Sequence, residues 1–346
     1  RVVDLVGHGD SVTRVCFSPD GELVATASID NTARLWDLGG KQVAELVGHG
    51  DSVTSICFSS QGKKLVTSSY DRTARLWDLG GKGEVELVGH SNALKSICFS
   101  PRGDRLATAS VDRTARLWDL AGNSIATLEG HAHSVMRVCF SPDGKLMATA
   151  SVDGTARLWD KEGKPMVELF GHIGWVTGVC FTGGGLATAS VDRTARLWDL
   201  AGNSIAELEG HEDSVWSVCS SPDGELIATA SVDGTARLWD LAGNLIGELR
   251  GHRNSVESIC FSPDGELIAT ASLDGTAKLW YATGELKATF REHGDRVTAI
   301  AFSRDGRFLA TASGDRTARL WDLEGKQLAD FQGHTGTVTN VSFSPT

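Results

Sequence analysis

Tryptophan beats time along this chain. Trp36, Trp77, Trp118, Trp159, Trp198, Trp239, Trp280 and Trp321 recur every 41 residues, with one interval of 39. A histidine precedes each of them by 28 residues, or once by 26: His8, His49, His90, His131, His172, His211, His252 and His293. From each tryptophan to the next histidine the spacing is always 13, and that count runs on to a ninth histidine, His334. A fixed period of this length marks a supersecondary unit that cannot bury its apolar faces alone and must stack on its copies. The 346 residues therefore hold eight full units and a fragment at each end, where length alone would suggest about two ordinary domains. Arg1 stands where an initiator methionine would be, which fits a piece of a longer chain.

One unit, from Gly7 to Val47, reads as four short strands. SVTRVCFS carries Val12, Val15 and Phe17 among small and polar residues. Ser18-Pro19-Asp20-Gly21 is a turn, with proline presetting φ and glycine taking the positive φ. ELVATAS, a tight turn at Asp30-Asn31, TARLWD, a Gly-rich loop and KQVAELV complete the set. Strands this short, separated by turn signals, argue an all-β architecture. The 40 glycines fit that count of turns.

These residues resemble the WD-repeat β-propeller family. Gly-His, the Ser-x-Asp turn and Trp-Asp stand in the family's order, repeated over essentially the whole chain. The resemblance implies an all-β propeller of four-stranded antiparallel blades over a single domain, 1–346, with the first strand of each blade innermost. Eight blades are expected, at about 9–48, 50–89, 91–130, 132–171, 173–210, 212–251, 253–292 and 294–333. The alternative is seven plus a surplus repeat. Residues 1–6 are left as an unmatched outer strand and 337–344 as an unmatched inner one, which pair elsewhere or with another copy of the chain by strand addition.

In the family, His8, Ser28, Asp30 and Trp36 occupy hydrogen-bonded tetrad positions, and so do His90, Ser110, Asp112 and Trp118. A buried carboxylate needs partners. The histidine donates to it, and the serine is expected to link onward to the indole. Ser, His and Asp together would otherwise suggest a hydrolase triad. Eight copies of one catalytic site in one chain argue for scaffold instead, and the same reasoning sets aside a zinc reading of the histidines. The arginine of each TARLWD stretch, such as Arg34 and Arg116, reads as a scaffold ion pair. No catalytic residue, metal or cofactor is expected.

The seven cysteines, Cys16, Cys57, Cys98, Cys139, Cys180, Cys219 and Cys260, are spaced like the repeats. Copies on stacked sheets lie ~10 Å apart, beyond the ~7 Å between Cα atoms that a disulfide spans. They read as small hydrophobes in a reducing, cytoplasmic setting. The net charge of −11 argues against nonspecific nucleic-acid binding, and no apolar run spans a membrane.

Positions that are alike in every copy serve the scaffold, so function belongs where the copies differ. Segments 111–126 and 191–206 are identical, VDRTARLWDLAGNSIA, whereas the start of the first strand varies widely. Three residues after the histidine stand Trp175 and Arg296; five after it stand Lys95, Met136, Trp216 and Glu257; Tyr70 lies just before a turn aspartate. In the family these positions rim the narrow face, where partners dock. Trp175 and Trp216 are the two tryptophans outside the repeat frame, and Trp, Tyr and Arg are the types enriched at binding hot spots. Packing is the competing reading, above all for Trp216, which shares a strand with Ser220 where other copies carry Phe. The expected function is a non-catalytic scaffold that binds a protein or peptide on the narrow face, as the interaction part of a larger signalling protein. The weaker alternatives are self-assembly through the end strands and an enzyme built on Glu257 and His133.

Overall fold

Each copy folds because its second strand is covered on both sides. In a computed structural model, which describes residues 5–80, 83–332 and 336–341, the first copy forms β1 (Val12–Phe17), β2 (Leu23–Ser28), β3 (Thr32–Asp37) and β4 (Gln42–Val47). They pair in that order as an antiparallel sheet. Burial along β2 is continuous after Leu23, the pattern of a strand sandwiched between two layers, and β4 alternates exposed and half-buried residues as an outer edge should. Ala25, Ala27, Ala33 and Leu35 pack against Val53, Ile56, Leu65 and Trp77 of the next copy. Small side chains on one sheet thus receive large ones from its neighbour, which is how stacked sheets reach close packing.

The turns explain the strand ends. At the first, the Gly21 amide donates to the Ser18 carbonyl at 2.8 Å with Gly21 at φ 71°. At the second, the Thr32 amide and hydroxyl donate to Asp30 Oδ1 at 2.9 and 2.7 Å, and Asn31 sits at φ 71°. The same four-stranded sheet recurs eight times, through β32 (Gln327–Phe331), and every regular element among the described residues is a strand. The remaining first strands are β5 (Val53–Phe58), β9 (Leu94–Phe99), β13 (Val135–Phe140), β17 (Val176–Phe181), β21 (Val215–Ser220), β25 (Val256–Phe261) and β29 (Val297–Phe302).

The chain divides into two compact units. In residues 8–179, β1, β5, β9 and β13 pack on one another in sequence, so the first strands form the inner wall and the fourth strands the rim. Buried clusters fill the spaces between successive sheets there. In the unit from residue 180 onward, β21, β25 and β29 are arranged likewise, with their own clusters. The fifth copy lacks two residues at its first turn, and the strand closes tightly in consequence: a Cβ at Gly185 would collide with the Trp198 carbonyl.

Of the two expected end strands, residues 1–4 and 342–344 lie outside the described residues, and 5–6 and 337–341 carry no strand. Residues 337–341 have no following strand to ladder with among the described residues. Their position is nonetheless that of a first strand. Val338 is fully buried, its amide donates to the Ser313 carbonyl at 2.9 Å, and its carbonyl accepts from the Thr298 hydroxyl at 2.7 Å. The latter bond repeats those from Thr13 to the Val53 carbonyl (2.5 Å) and from Thr54 to the Leu94 carbonyl (3.3 Å).

Candidate interaction surface

The repeated polar residues form a closed network around a threonine, not a serine. In the first copy Trp36 Nε1 donates to Thr26 Oγ1 at 2.8 Å, His8 Nε2 lies 2.7 Å from the same oxygen, and His8 Nδ1 lies 2.8 Å from Asp30 Oδ2. With Nδ1–H donating to the carboxylate, Nε2 accepts from the threonine hydroxyl, and every polar atom is satisfied by a neutral imidazole. The third copy repeats this with Trp118, Thr108, His90 and Asp112. The expected link through Ser28 and Ser110 is thereby corrected. Trp36 is opposite Val24, so its indole reaches Thr26 diagonally, and Ser28 is about 7 Å further along the strand. Ser28 instead donates to the Asp10 carbonyl and accepts the Asp30 amide, both at 3.1 Å; Ser110 does the same with Asn92 and Asp112. Threonine recurs ten residues before every frame tryptophan, and serine eight before; uniformity among copies could not choose between them, whereas cross-strand diagonals could.

Burial lowers His8, His90, His252 and His293 below the ordinary 6.5 despite their aspartates, so the network is built for neutral imidazole. Burial alone would raise Asp30, but the bonds from Thr32, the Gly9 amide and His8 hold it at about 2. The arginines of the third strands pair across to the fourth: Arg34 with Glu45 at 2.8 Å, Arg196 with Glu207 at 2.8 Å and Arg237 with Glu248 at 2.9 Å. All seven thiols are free, and Cys98, Cys139 and Cys260 donate to carbonyls of the following first strand, Val138, Val179 and Ile300.

Against this frame the divergent residues stand out by exposure. In the unit of residues 8–179, Trp175 is 53% exposed, directly before β17. Two neighbours that sequence reading passed over join it: Phe170 at 67% and Ile173 at 94%. The signal for Ile173 was available, because the residue after the histidine is glycine, serine, alanine or charged in every other copy. Tyr70 is 46% exposed and lies under the Lys95 ammonium, 5.1 Å from its ring centroid, a contact that links two successive blades. Met136 is half-buried on β13. In the other unit, Trp216 is 42% exposed on β21, the strand that also carries Ser220. Glu257 is half-buried on β25 and accepts the Ser255 hydroxyl at 2.6 Å, and Arg296 is exposed.

His133 has a local duty. Its Nδ1 accepts the Ser134 amide at 2.8 Å, the place that Asp10, Asp51 and Asn92 fill in the preceding copies. A cleft at the opposite end of the blades is lined by Arg105, Asp143, Lys145, Asp160 and Lys161. Its Asp143 is held low, at about 2, by the Ser141 hydroxyl and then by the Lys145 amide and ammonium, the reverse of what a general acid needs. Among the described residues no three of His, Cys, Asp and Glu gather around a common point, and no helix is long and apolar enough to cross a membrane.

The family described as the IFT122 first beta-propeller matches residues 11–280, more than half of the chain. The chain belongs to the WD-repeat β-propeller family. A second model of that family, the WD domain, G-beta repeat, matches the propeller at residues 284–322 and 325–346. Among solved structures, the computationally designed Ika8 protein is similar at a TM-score of 0.81 and 26% identity, over 93% of this chain and 99% of that one. The eight four-stranded sheets of this chain are its blades. A search of curated proteins finds no match. Propellers of this family generally act as non-enzymatic scaffolds for protein interaction.

Proposed function

We propose that this propeller binds a protein or peptide through the loops at the His- and Asp-bearing end of its blades, the family's narrow face, as the interaction part of a larger cytoplasmic signalling protein. The exposed run Phe170, Ile173 and Trp175 carries the reading: three large apolar side chains within six residues of one loop are costly to leave in water and typical of a docking site. Within the same unit Tyr70, Lys95 and Met136 supply further aromatic, charged and soft contacts; in the other unit Trp216, Glu257 and Arg296 are proposed as contact positions in their own right. Seven free thiols and lowered imidazole pKa values suit a reducing, near-neutral compartment.

The test separates docking from packing. Affinity capture with the wild-type chain is expected to retain a stoichiometric protein partner, and Trp175→Ala with Trp216→Ala to lose it, while the melting temperature stays within about 3 °C, as exposed sites allow. Retention of the partner, or a much larger fall in melting temperature, refutes the assignment.

A further inference from the structure

Six residues after the histidine, the first strands of the unit spanning residues 8–179 carry a row that the repeat frame does not need. Arg14, Ser55, Ser96 and Arg137 stand opposite Ala27, Ser68, Ala109 and Ala150, the same register on four successive blades. The corresponding positions elsewhere are small: Gly178, Ser217, Ser258 and Ala299. Neither guanidinium and neither hydroxyl has a hydrogen-bond or ion-pair partner among the described residues, although every third-strand arginine in the same unit has a carboxylate or a ring beside it.

The two serines are buried, and the two arginines are more open. Arg14 is half-buried and Arg137 exposed by accessible area, but burial, and then the charge of Arg137, lowers Arg14 to about 10, and burial lowers Arg137 as well. The like charge of Arg137 is felt at Arg14, so the two cations disfavour one another. Among the described residues no carboxylate pairs with either of them. The four first strands contain no aspartate or glutamate and add a third cation, Lys95. The nearby thiols stay neutral, since burial pushes Cys57 and Cys139 up to about 12.

We propose that Arg14 and Arg137, with the hydroxyls of Ser55 and Ser96 between them, form a binding site for a small free oxyanion of two or more negative charges, of the phosphate or pyrophosphate type. Guanidinium groups match such oxygens with paired N–H donors, and the serines add donors without filling the space. Two cations in one register favour a divalent over a monovalent anion. This site does not rest on the docking reading and stands or falls without it.

Calorimetric titration of the full chain with sodium pyrophosphate, at low ionic strength in phosphate-free buffer, tests it. One site per chain is expected, with affinity falling at least tenfold in Arg14→Gln and in Arg137→Gln and changing less than twofold in Lys41→Gln, an exposed lysine just before β4. Should a glutamine variant fail to fold, Arg14→Ser and Arg137→Ser place there the residue that Ser55 and Ser96 already supply. Absence of saturable binding by the wild type, undiminished binding by the arginine variants, or an equal loss in Lys41→Gln would each overturn the site. A phosphoserine peptide that binds as tightly as pyrophosphate would also overturn it, by making the ligand a modified partner rather than a free anion.

Discussion

Two stretches of this molecule share sixteen consecutive residues, 111–126 and 191–206, and differ in what one of them does. Both form the same turn and third strand, with Arg113 and Arg193 at φ 74° and 76° and the Asn123 and Asn203 amides each donating to an aspartate at 2.8 Å. Arg196, however, pairs with Glu207 at 2.8 Å, whereas Arg116 faces Thr127 and lies 5.8 Å from the Trp118 ring. Identical sequence gives identical backbone, but the cross-strand neighbour chooses between ion pair and cation–π contact. Local chemistry sets the frame and divergence at single facing positions sets what the frame is used for.

The comparison breaks most visibly at the tryptophans. Trp118→Ala and Trp198→Ala each remove a buried indole together with its bond to threonine, at 2.9 Å in both. Each is expected to cost about 3–5 kcal/mol in urea denaturation, equally in the two stretches; a gap above about 1 kcal/mol would show that the copies are not equivalent.

Acid sharpens it next. Folding lowers the pKa of His90, so the unfolded chain binds more protons and stability falls as pH drops through and below 6.5. Asp112 is also lowered, by bonds from Thr114 and His90 that outweigh the burial tending to raise it, and its contribution is present above 3.8 and lost as pH falls below that value. Both act in the same direction. Urea midpoints are therefore expected to be flat above about pH 7, to decline below pH 6.5 and to drop further below pH 4. Thr108→Val should shrink the first decline by uncoupling His90; an undiminished decline would place it elsewhere.

The smallest change exchanges the facing residues. Thr127→Glu should give Arg116 the partner that Arg196 has and stabilise by at most about 0.5 kcal/mol, and Glu207→Thr should do the reverse, read as shifts in urea midpoint that salt screens. Shifts above about 1 kcal/mol would mean that the ion pairs, not the packing, fix the outer strands.

Period and composition made the eight sheets legible from the chain alone, because each copy repeats the strand, turn and capping chemistry of the others. The network was legible in its residue types but not in its wiring: Thr26 and Ser28 are equally uniform, and only the diagonal reach of Trp36 across to Thr26 separates them. Exposure of Trp175 and Trp216 followed from their place outside the frame. Ile173 and Phe170 were missed because apolar residues in a strand-rich chain read as core. Arg14 and Arg137 escaped for a different reason. Their row lies one residue beyond the most variable one, where a scan for aromatic hot spots does not look.

Val338 has one more lesson to give. The hydroxyl of Thr298 and the thiols of Cys98, Cys139 and Cys260 each grasp a carbonyl forty residues downstream, so the junction between these neighbours is written inside the copies rather than at special boundaries. A gene built this way can gain a copy by tandem duplication and find the join already made, and the near-twin stretches within this chain look like the trace of that history.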